Sequence, residues 1–530
     1  MGDMEKEASI YHSTGVDQSM EEKTGFLNTT HPKSLQPWCI LGVILSIQLF
    51  FLFLYLNVLS QDLSIANFGS DGGDFLAAAL TLGVPHPSGY PLYIFLLRII
   101  QNLPVGSPYF KGSLISLIPF IMAIGVLSII PAKAVQPFWQ KIISVISTAL
   151  LFGSAPLIVS QAVIVEVYGL QMLVSVFYIL WIFIIYAPPP KTNHPFWLIL
   201  LSIGCGLGLA NHLTTLFLAP LYVIGWIGLI RQGYSRKTVL VCSLFYLAGL
   251  SIYAYLPWLA AQDPPVNWGS PKDFISLIWL VSGQLYQNLA GGITLLHFWE
   301  RLKALAGILF DNLTVPGILA GLFYLDRPRT RPLINASMIY IFGVMCVFSL
   351  VYASNDSLVY LIPALTVFCV WAGLAVETLW VRKSWKIPWG KGLIILLVVF
   401  ILFRIPSIPE RVDPHQEKGA ALFANQVMLT APQNAIILTS GDEDTFPLWY
   451  YHYGLKQRSD IQIIVLGLFR FDWYRGTLLK SNPALKITSP GDSSFDPAWM
   501  KDFSIDNQNR PVCRSWIEDG NQLNYSFQCY

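Results

Sequence analysis

The sequence predicts a polytopic α-helical membrane protein, with about 11 transmembrane helices and a small C-terminal soluble α/β domain. Three observations predict it. Of 530 residues, 54% are hydrophobic and 12% are charged, against roughly 25% charge in a soluble domain. Mean hydropathy is +0.54, and apolar runs of spanning length recur between residues 38 and 405. Beyond 405 the chain changes to short apolar runs between polar turns, the pattern of soluble strands and helices.

Residues 1–36 are polar and mixed in charge, which predicts a disordered cytoplasmic tail with no cleavable leader before the first apolar run. The membrane domain is expected over 37–405, opening with a span near 38–59. A first outer loop, 60–110, carries GSDGGDFLAAALTLGVPHPSGYPLYIFLLR at 69–98. Its helical stretches 74–83 and 91–104 are too short to cross and are expected at the interface. Further spans are expected near 111–131, 142–158, 164–186, 196–211, 213–230 and 238–258. A polar outer loop with short amphipathic helices fills 259–301, and spans near 303–323, 333–352, 358–378 and 391–405 complete the set.

Orientation follows from the basic loops. With the N-terminus inside, Lys133 and Lys141, Lys191, the Arg231–Lys237 cluster, Arg327 to Arg331, and Arg382 to Lys391 all fall on the cytoplasmic side. An odd number of crossings then puts 406–530 outside, so a multi-pass plasma-membrane protein with an extracytoplasmic C-terminal domain is expected. In that domain 420–429 reads as a helix, 435–455 as strand, acidic turn and helix, and 461–469 as a second strand.

Charge and cysteine usage narrow the function. A net charge of +2 supplies no basic excess for a nucleic-acid partner. Cys39, Cys205, Cys242, Cys346 and Cys369 lie in apolar runs and read as small hydrophobes. Cys513 and Cys529 lie in the polar tail, free to pair if it faces an oxidising compartment. No metal-type Cys/His spacing occurs, so no metal is expected, and there is no Walker loop, GxSxG or HExxH.

Five polar clusters, far apart in sequence, map to the outer ends of the spans: Asp71, Asp74 and His86; Gln161 to Gln171; Asn211 and His212; AQDPPVNWGSP at 261–271; and SNDSLVY at 354–360. Gln161, Tyr168 and Gln171 are spaced to share a helix face. Each cluster also has a plainer reading. A loop aspartate is usually solvated, His86 between two prolines makes a turn, His212 suits a satisfied core histidine, DPPVNWG a rigid turn, and GDEDTFP (441–447) an exposed acidic turn. Glu166, inside an apolar run, has the weakest plain reading, because an ionisable group there is costly. A carboxylate base taking a proton from an acceptor hydroxyl, with cations at a phosphate leaving group, suits such a face. Arg98, Lys111, His86 and His212 are the local cations.

The segments SDGGDFLAAALTLGVPHPSGYPLY (70–93), SQAVIVEVYGL (160–170), GLGLANHLT (206–214) and YLPWLAAQDPPVNWGSPKDF (255–274) resemble the GT-C type glycosyltransferases. Within these the chain looks like the bacterial relatives of the transmembrane protein O-mannosyltransferase family that modifies plexin-type receptors. Gly72, Ser88 and Leu280 depart from residues common in the family. The resemblance implies a GT-C-like membrane domain and a polyprenyl-phosphate-linked sugar as donor, a hexose such as mannose. It implies inverting transfer to a protein or glycan acceptor at the outer face of the bilayer, with no cofactor. It puts the catalytic acid at Asp71, ranked first as general base, or Asp74. It puts Glu166, Tyr168, Asn211, His212, Asn267 and Trp268 in the donor and acceptor cavity. The competing expectations are a transporter or flippase of lipid-linked glycans, for which inverted repeats would be needed, and an inactive homologue.

Overall fold

The computed structural model describes residues 35–186, 195–291, 293–325, 332–380, 388–487, 497–518 and 524–529. The expected N-terminal tail lies almost wholly outside them, as do Lys191, Arg327, Arg329, Arg331, Arg382, Lys383 and Lys386 of the basic loops.

Among the described residues eight helices are long and apolar enough to cross a membrane. They are Gln36–Leu56, Pro108–Ala134, Tyr168–Tyr186, Leu213–Arg231, Arg236–Ala260, Pro332–Val351, Ser357–Trp380 and one beginning at Trp389. Leu295–Leu313 and Val315–Leu325 qualify together but meet at 96°, a bend at Thr314, whose φ is +61°. Phe138–Gly153 and Phe196–Leu209 are apolar but shorter. The eleven crossings expected from the sequence include these two short helices and the bent pair; length and apolar content alone give eight, or nine with the bent pair. Proline opens several helices (Pro91, Pro108, Pro156) at the first turn, where no backbone N–H is required. Tyr168–Tyr186 and Ser357–Trp380 are almost wholly buried, whereas Gln36–Leu56 and Arg236–Ala260 leave most of their apolar surface outward, as lipid contact allows.

Two local expectations change. Gln161–Val167 is not helical; the helix Pro156–Ser160 stops and the next starts at Tyr168. Gln161 therefore shares no helix face with Tyr168 and Gln171. The cause is Ser116, whose hydroxyl donates to the Glu166 carbonyl at 2.8 Å and accepts from the Glu166 N–H at 3.2 Å, replacing intrahelical partners. The helix Gly72–Thr81, expected at the interface, is covered by protein. Gly72 to Ala79 are all buried, because the C-terminal domain lies on top of them. A Cβ on Gly73 would stand 2.4 Å from the Phe446 carbonyl oxygen, so only glycine permits this approach. The helix Pro91–Gln101 buries Leu92, Tyr93, Ile94, Leu97 and Ile100 and turns Phe95 and Ile99 outward.

The C-terminal domain is built on a four-stranded sheet of order β2-β1-β3-β4. β1 (Ile436–Thr439) pairs in parallel with β2 (Gln462–Val465) and with β3 (Val512–Glu518), and β3 pairs antiparallel with β4 (Asn524–Cys529). The helix Gly419–Thr430 and the first two strands fall where the sequence predicts them. The last two strands lie in a polar tail with no apolar run to announce them. Cys513 and Cys529 face each other across β3 and β4 and form a disulfide.

Candidate active site

Asp71 stands at the N-cap position of the helix Gly72–Thr81, without a side-chain capping bond, and Asp74 lies in its first turn, where the helix dipole favours a carboxylate. The chain then turns back through His86–Tyr90. The Gly89 N–H donates to the His86 carbonyl at 2.8 Å, and Gly89 has φ +82°, a conformation suited to glycine. This turn lays the His86 ring against Phe75, Tyr90 and Phe446, with centroids 5.1, 5.1 and 6.0 Å away.

The two aspartates then separate in role. The Asp74 side chain is fully buried and its oxygens are occupied. Oδ2 accepts from the His86 backbone N–H at 2.9 Å and from Nδ1 at 2.7 Å. Oδ1 accepts from Trp268 Nε1 at 3.1 Å. Because an ionised carboxylate only accepts, Nδ1 carries a proton. His86 Nε2 then faces Asp71 Oδ2 at 3.3 Å. The Asp71 side chain is 30% exposed and opens into a cavity. Burial pushes the Asp71 carboxyl up, but the charge and hydrogen bond of His86 outweigh it and hold it below its ordinary value. Burial pushes the His86 imidazole down, and Asp71 with Asp74 more than reverse this, holding it well above its ordinary value.

The cavity has a volume of about 710 Å³, within the usual range for ligand sites. It sits at one end of the helix bundle: Tyr168, His212, Tyr352 and Tyr360, at the ends of four different spans, all line it. The C-terminal domain closes the other side with Asp442 and Glu443. His212 Nδ1 accepts from the Thr214 N–H at 3.2 Å, and its ring lies among Tyr90, Tyr168 and Tyr360 with centroids 5.4 to 5.9 Å away. Burial and the His86 charge lower its pKa to about 4, so His212 is neutral at pH 7 with its proton on Nε2.

Of the residues singled out by sequence, Asp71, His86, Tyr168 and His212 line the cavity, and Asp74 and Trp268 brace it from behind. The others do different work. Asn211 Nδ2 donates to the carbonyl oxygens of Val167 at 3.2 Å and of the Gln171 side chain at 3.3 Å, tying two span ends together. Asn267 bridges to Val84 and donates to the Ala260 carbonyl at 3.4 Å. Glu166 is buried; burial and then the Asp71 charge push its carboxyl well above the ordinary range. Of the four cations expected at a phosphate, His86 and His212 line the cavity, and Arg98 and Lys111 are not among its lining residues. Arg98 donates to the Tyr255 hydroxyl at 2.6 Å, and Lys111 to the Gln101 and Leu103 carbonyls at 2.9 and 3.3 Å, capping the helix Pro91–Gln101.

Sequence reasoning missed three features. Tyr286 lines the cavity but carries no spacing signal; Tyr90 and Tyr360 line it too, inside stretches that were singled out without either tyrosine being given a role. Arg301 binds the carbonyls of Ser349, Tyr352 and Ser354 and the Ser357 hydroxyl, holding the wall that presents Asp356; a lone Arg opening a span was the available sign. Asp442 belongs to the acidic turn whose plainer reading was solvated surface.

Residues 71–238 match the family described as the Protein O-mannosyl-transferase TMEM260 N-terminal domain, and residues 420–483 match TMEM260-associated domain 2. Protein O-mannosyl-transferase TMEM260 of Mus musculus is 24% identical over 457 residues, 80% of this chain and 63% of that protein. The chain thus spans less than two thirds of that relative. ArnT from Cupriavidus metallidurans bound to undecaprenyl phosphate superposes with a TM-score of 0.55 at 12% identity, over 91% of this chain and 93% of that one. The Archaeoglobus fulgidus oligosaccharyltransferase AglB, in complex with an inhibitory peptide and a dolichol-phosphate, superposes at 0.51 and 10% identity, over 91% of this chain and 70% of that one.

Proposed function

From a multi-pass membrane chain that is GT-C in fold and O-mannosyltransferase-like in sequence, we propose a glycosyltransferase. It moves a hexose, with mannose the first candidate, from a polyprenyl-phosphate donor to a protein hydroxyl, with inversion and with Asp71 as general base. The orientation that fits this reading puts the cavity and the C-terminal domain outside the plasma membrane, where the Cys513–Cys529 disulfide would persist.

The observation that carries the reading is the asymmetry of the two aspartates. Asp74 is fully buried with both oxygens hydrogen-bonded, and it is not among the residues lining the cavity, so it does not meet an acceptor. It fixes His86, and His86 fixes Asp71, which remains ionised and open to the cavity. In the step itself the acceptor oxygen attacks the anomeric carbon from the face opposite the phosphate. Its proton passes to the Asp71 carboxylate as the new C–O bond forms. The bond from the anomeric carbon to the phosphate oxygen breaks, and the electron pair leaves with the polyprenyl phosphate. His212 Nε2–H and the cavity tyrosines are the hydrogen-bond donors available to sugar and phosphate oxygens.

The test is transfer in reconstituted liposomes from polyprenyl-phosphate mannose, labelled at the anomeric carbon, to Ser/Thr peptides. The expected product is a labelled peptide whose anomeric configuration is opposite to that of the donor. Retained configuration, or labelling from a nucleotide sugar without lipid, contradicts the proposal.

A further inference from the structure

The acidic turn of the C-terminal domain is the part of the cavity that the mechanism leaves unused. Four carboxylates line the cavity, Asp71, Asp356, Asp442 and Glu443, and no Lys or Arg is among its described lining residues. Asp71 is engaged by His86, and Asp356 accepts from the Ser354 hydroxyl. The Asp442 and Glu443 side chains have no hydrogen bond or ion pair among the described residues. Asp442 opens the helix Asp442–Trp449 and is exposed to the cavity. The same helix packs Phe446 on the His86 ring and against Gly73, so the position of the turn relative to Asp71 is fixed by the packing that shapes the catalytic pair.

We propose that Asp442, supported by Glu443, is the acceptor-recognition residue of this site and receives a positively charged side chain flanking the acceptor hydroxyl. This inference rests on the glycosyltransferase reading above and names the acceptor class: a basic protein segment. A carboxylate with no internal partner, in a cavity walled by other carboxylates, attracts a cation and repels the phosphate of the donor. A lysine or arginine beside the hydroxyl would form a charge-assisted hydrogen bond to it, while the lipid phosphate stays on the His212 side. The groups facing Asp442 are Glu443 on its own helix, Asp71, Asp74 and His86 from the first outer loop, and Tyr286 from the turn Gln284–Leu289. Desolvation and then the Asp71 charge push the Asp442 carboxyl up to about 7. Binding of the basic acceptor therefore strengthens as pH rises through about 7.

The experiment measures transfer by the full chain in liposomes to two Ser/Thr peptides, one flanked by lysines and one by alanines, for wild type, Asp442→Asn and Asp442→Glu. The wild type should prefer the lysine peptide. Asp442→Asn should raise KM for that peptide about tenfold, the worth of one charge-assisted contact, leave KM for the donor in place, and remove the pH dependence of acceptor KM near 7. Asp442→Glu should restore much of the preference, which excludes misfolding as the cause. Equal KM for both peptides in the wild type, or a donor-KM rise in Asp442→Asn, overturns this inference while leaving the glycosyltransferase reading standing. A wild type that transfers to glycans but to neither peptide also overturns it. No transfer from any lipid-phosphate sugar overturns the parent reading.

Discussion

Asp74→Asn tests the division of labour in the site, because it removes a charge without changing shape. Asp74 accepts three hydrogen bonds, two from His86 and one from Trp268. The asparagine side chain offers one carbonyl oxygen and an NH2. That NH2 must face either the indole N–H or the two His86 N–H groups, so a donor meets donors whichever way the amide is turned. Hydrogen bonds to a charged acceptor are worth about 1.5–3 kcal/mol and a stranded buried donor costs about 1–3. A loss of about 2–4 kcal/mol of local stability follows, concentrated at the His86–Tyr90 turn. Asp71 stays in the protein but loses its fixed partner, and a displacement near 1 Å costs on the order of 100-fold in rate. The expected outcome in a liposome transfer assay is therefore a kcat about 100-fold lower, with some activity left.

The pH dependence provides a second readout of the same variant. The folded pKa of His86 is raised well above 6.5. The stability this gives is full below about 6.5 and is lost as pH rises through the folded pKa. Asp71, held below 3.8, adds stability that is present above 3.8 and is lost as pH falls through its folded pKa. Without Asp74 the His86 pKa falls. The melting temperatures of wild type and variant should then differ most below about pH 6.5, while Asp74 is ionised, and converge at alkaline pH. An unchanged kcat and an unchanged pH profile in Asp74→Asn would refute the chain from Asp74 through His86 to Asp71.

Other outcomes follow from the same geometry. Gly73→Ala puts a methyl 2.4 Å from the Phe446 carbonyl oxygen; it should cost about 1–3 kcal/mol and loosen the C-terminal domain from the first outer loop, seen as faster proteolysis of that domain. Cys513→Ser removes a crosslink between residues 16 apart, worth about 3 kcal/mol. In the intact protein neither cysteine should react with a thiol reagent until a reductant is added. Arg98→Ala and Lys111→Ala should lower thermal stability while donor KM stays near the wild-type value, because both side chains are spent on local oxygens outside the cavity.

Some of this was readable in the residues and some was not, for identifiable reasons. The helical pattern of DFLAAAL was plain, and so was the gathering of polar clusters at one end of the spans. That Gly72–Thr81 is buried was not, since the surface covering it belongs to Phe446, far along the chain. Two aspartates three residues apart look equivalent in sequence; they differ because His86 and Trp268 occupy both oxygens of only one of them. The expected face of Gln161, Tyr168 and Gln171 failed because Ser116 competes for the backbone at Glu166. Arg98 and Lys111 were near the loop in sequence, but carbonyls and a tyrosine nearer to them in space claim their donors. Cys513 and Cys529 could be read as a pair, because they are the two cysteines outside apolar runs, and they are bonded.

The central claim is that Asp71 takes the proton. It is tested most directly by the single-turnover rate of sugar transfer from a polyprenyl-phosphate donor by Asp71→Asn, alongside wild type and Asp74→Asn, with bound lipid quantified by mass spectrometry in each. The account predicts lipid binding equal to wild type in Asp71→Asn and a rate lower by about 100- to 10,000-fold, the usual contribution of a general base. A wild-type rate in Asp71→Asn, or a dead Asp74→Asn beside an active Asp71→Asn, contradicts it.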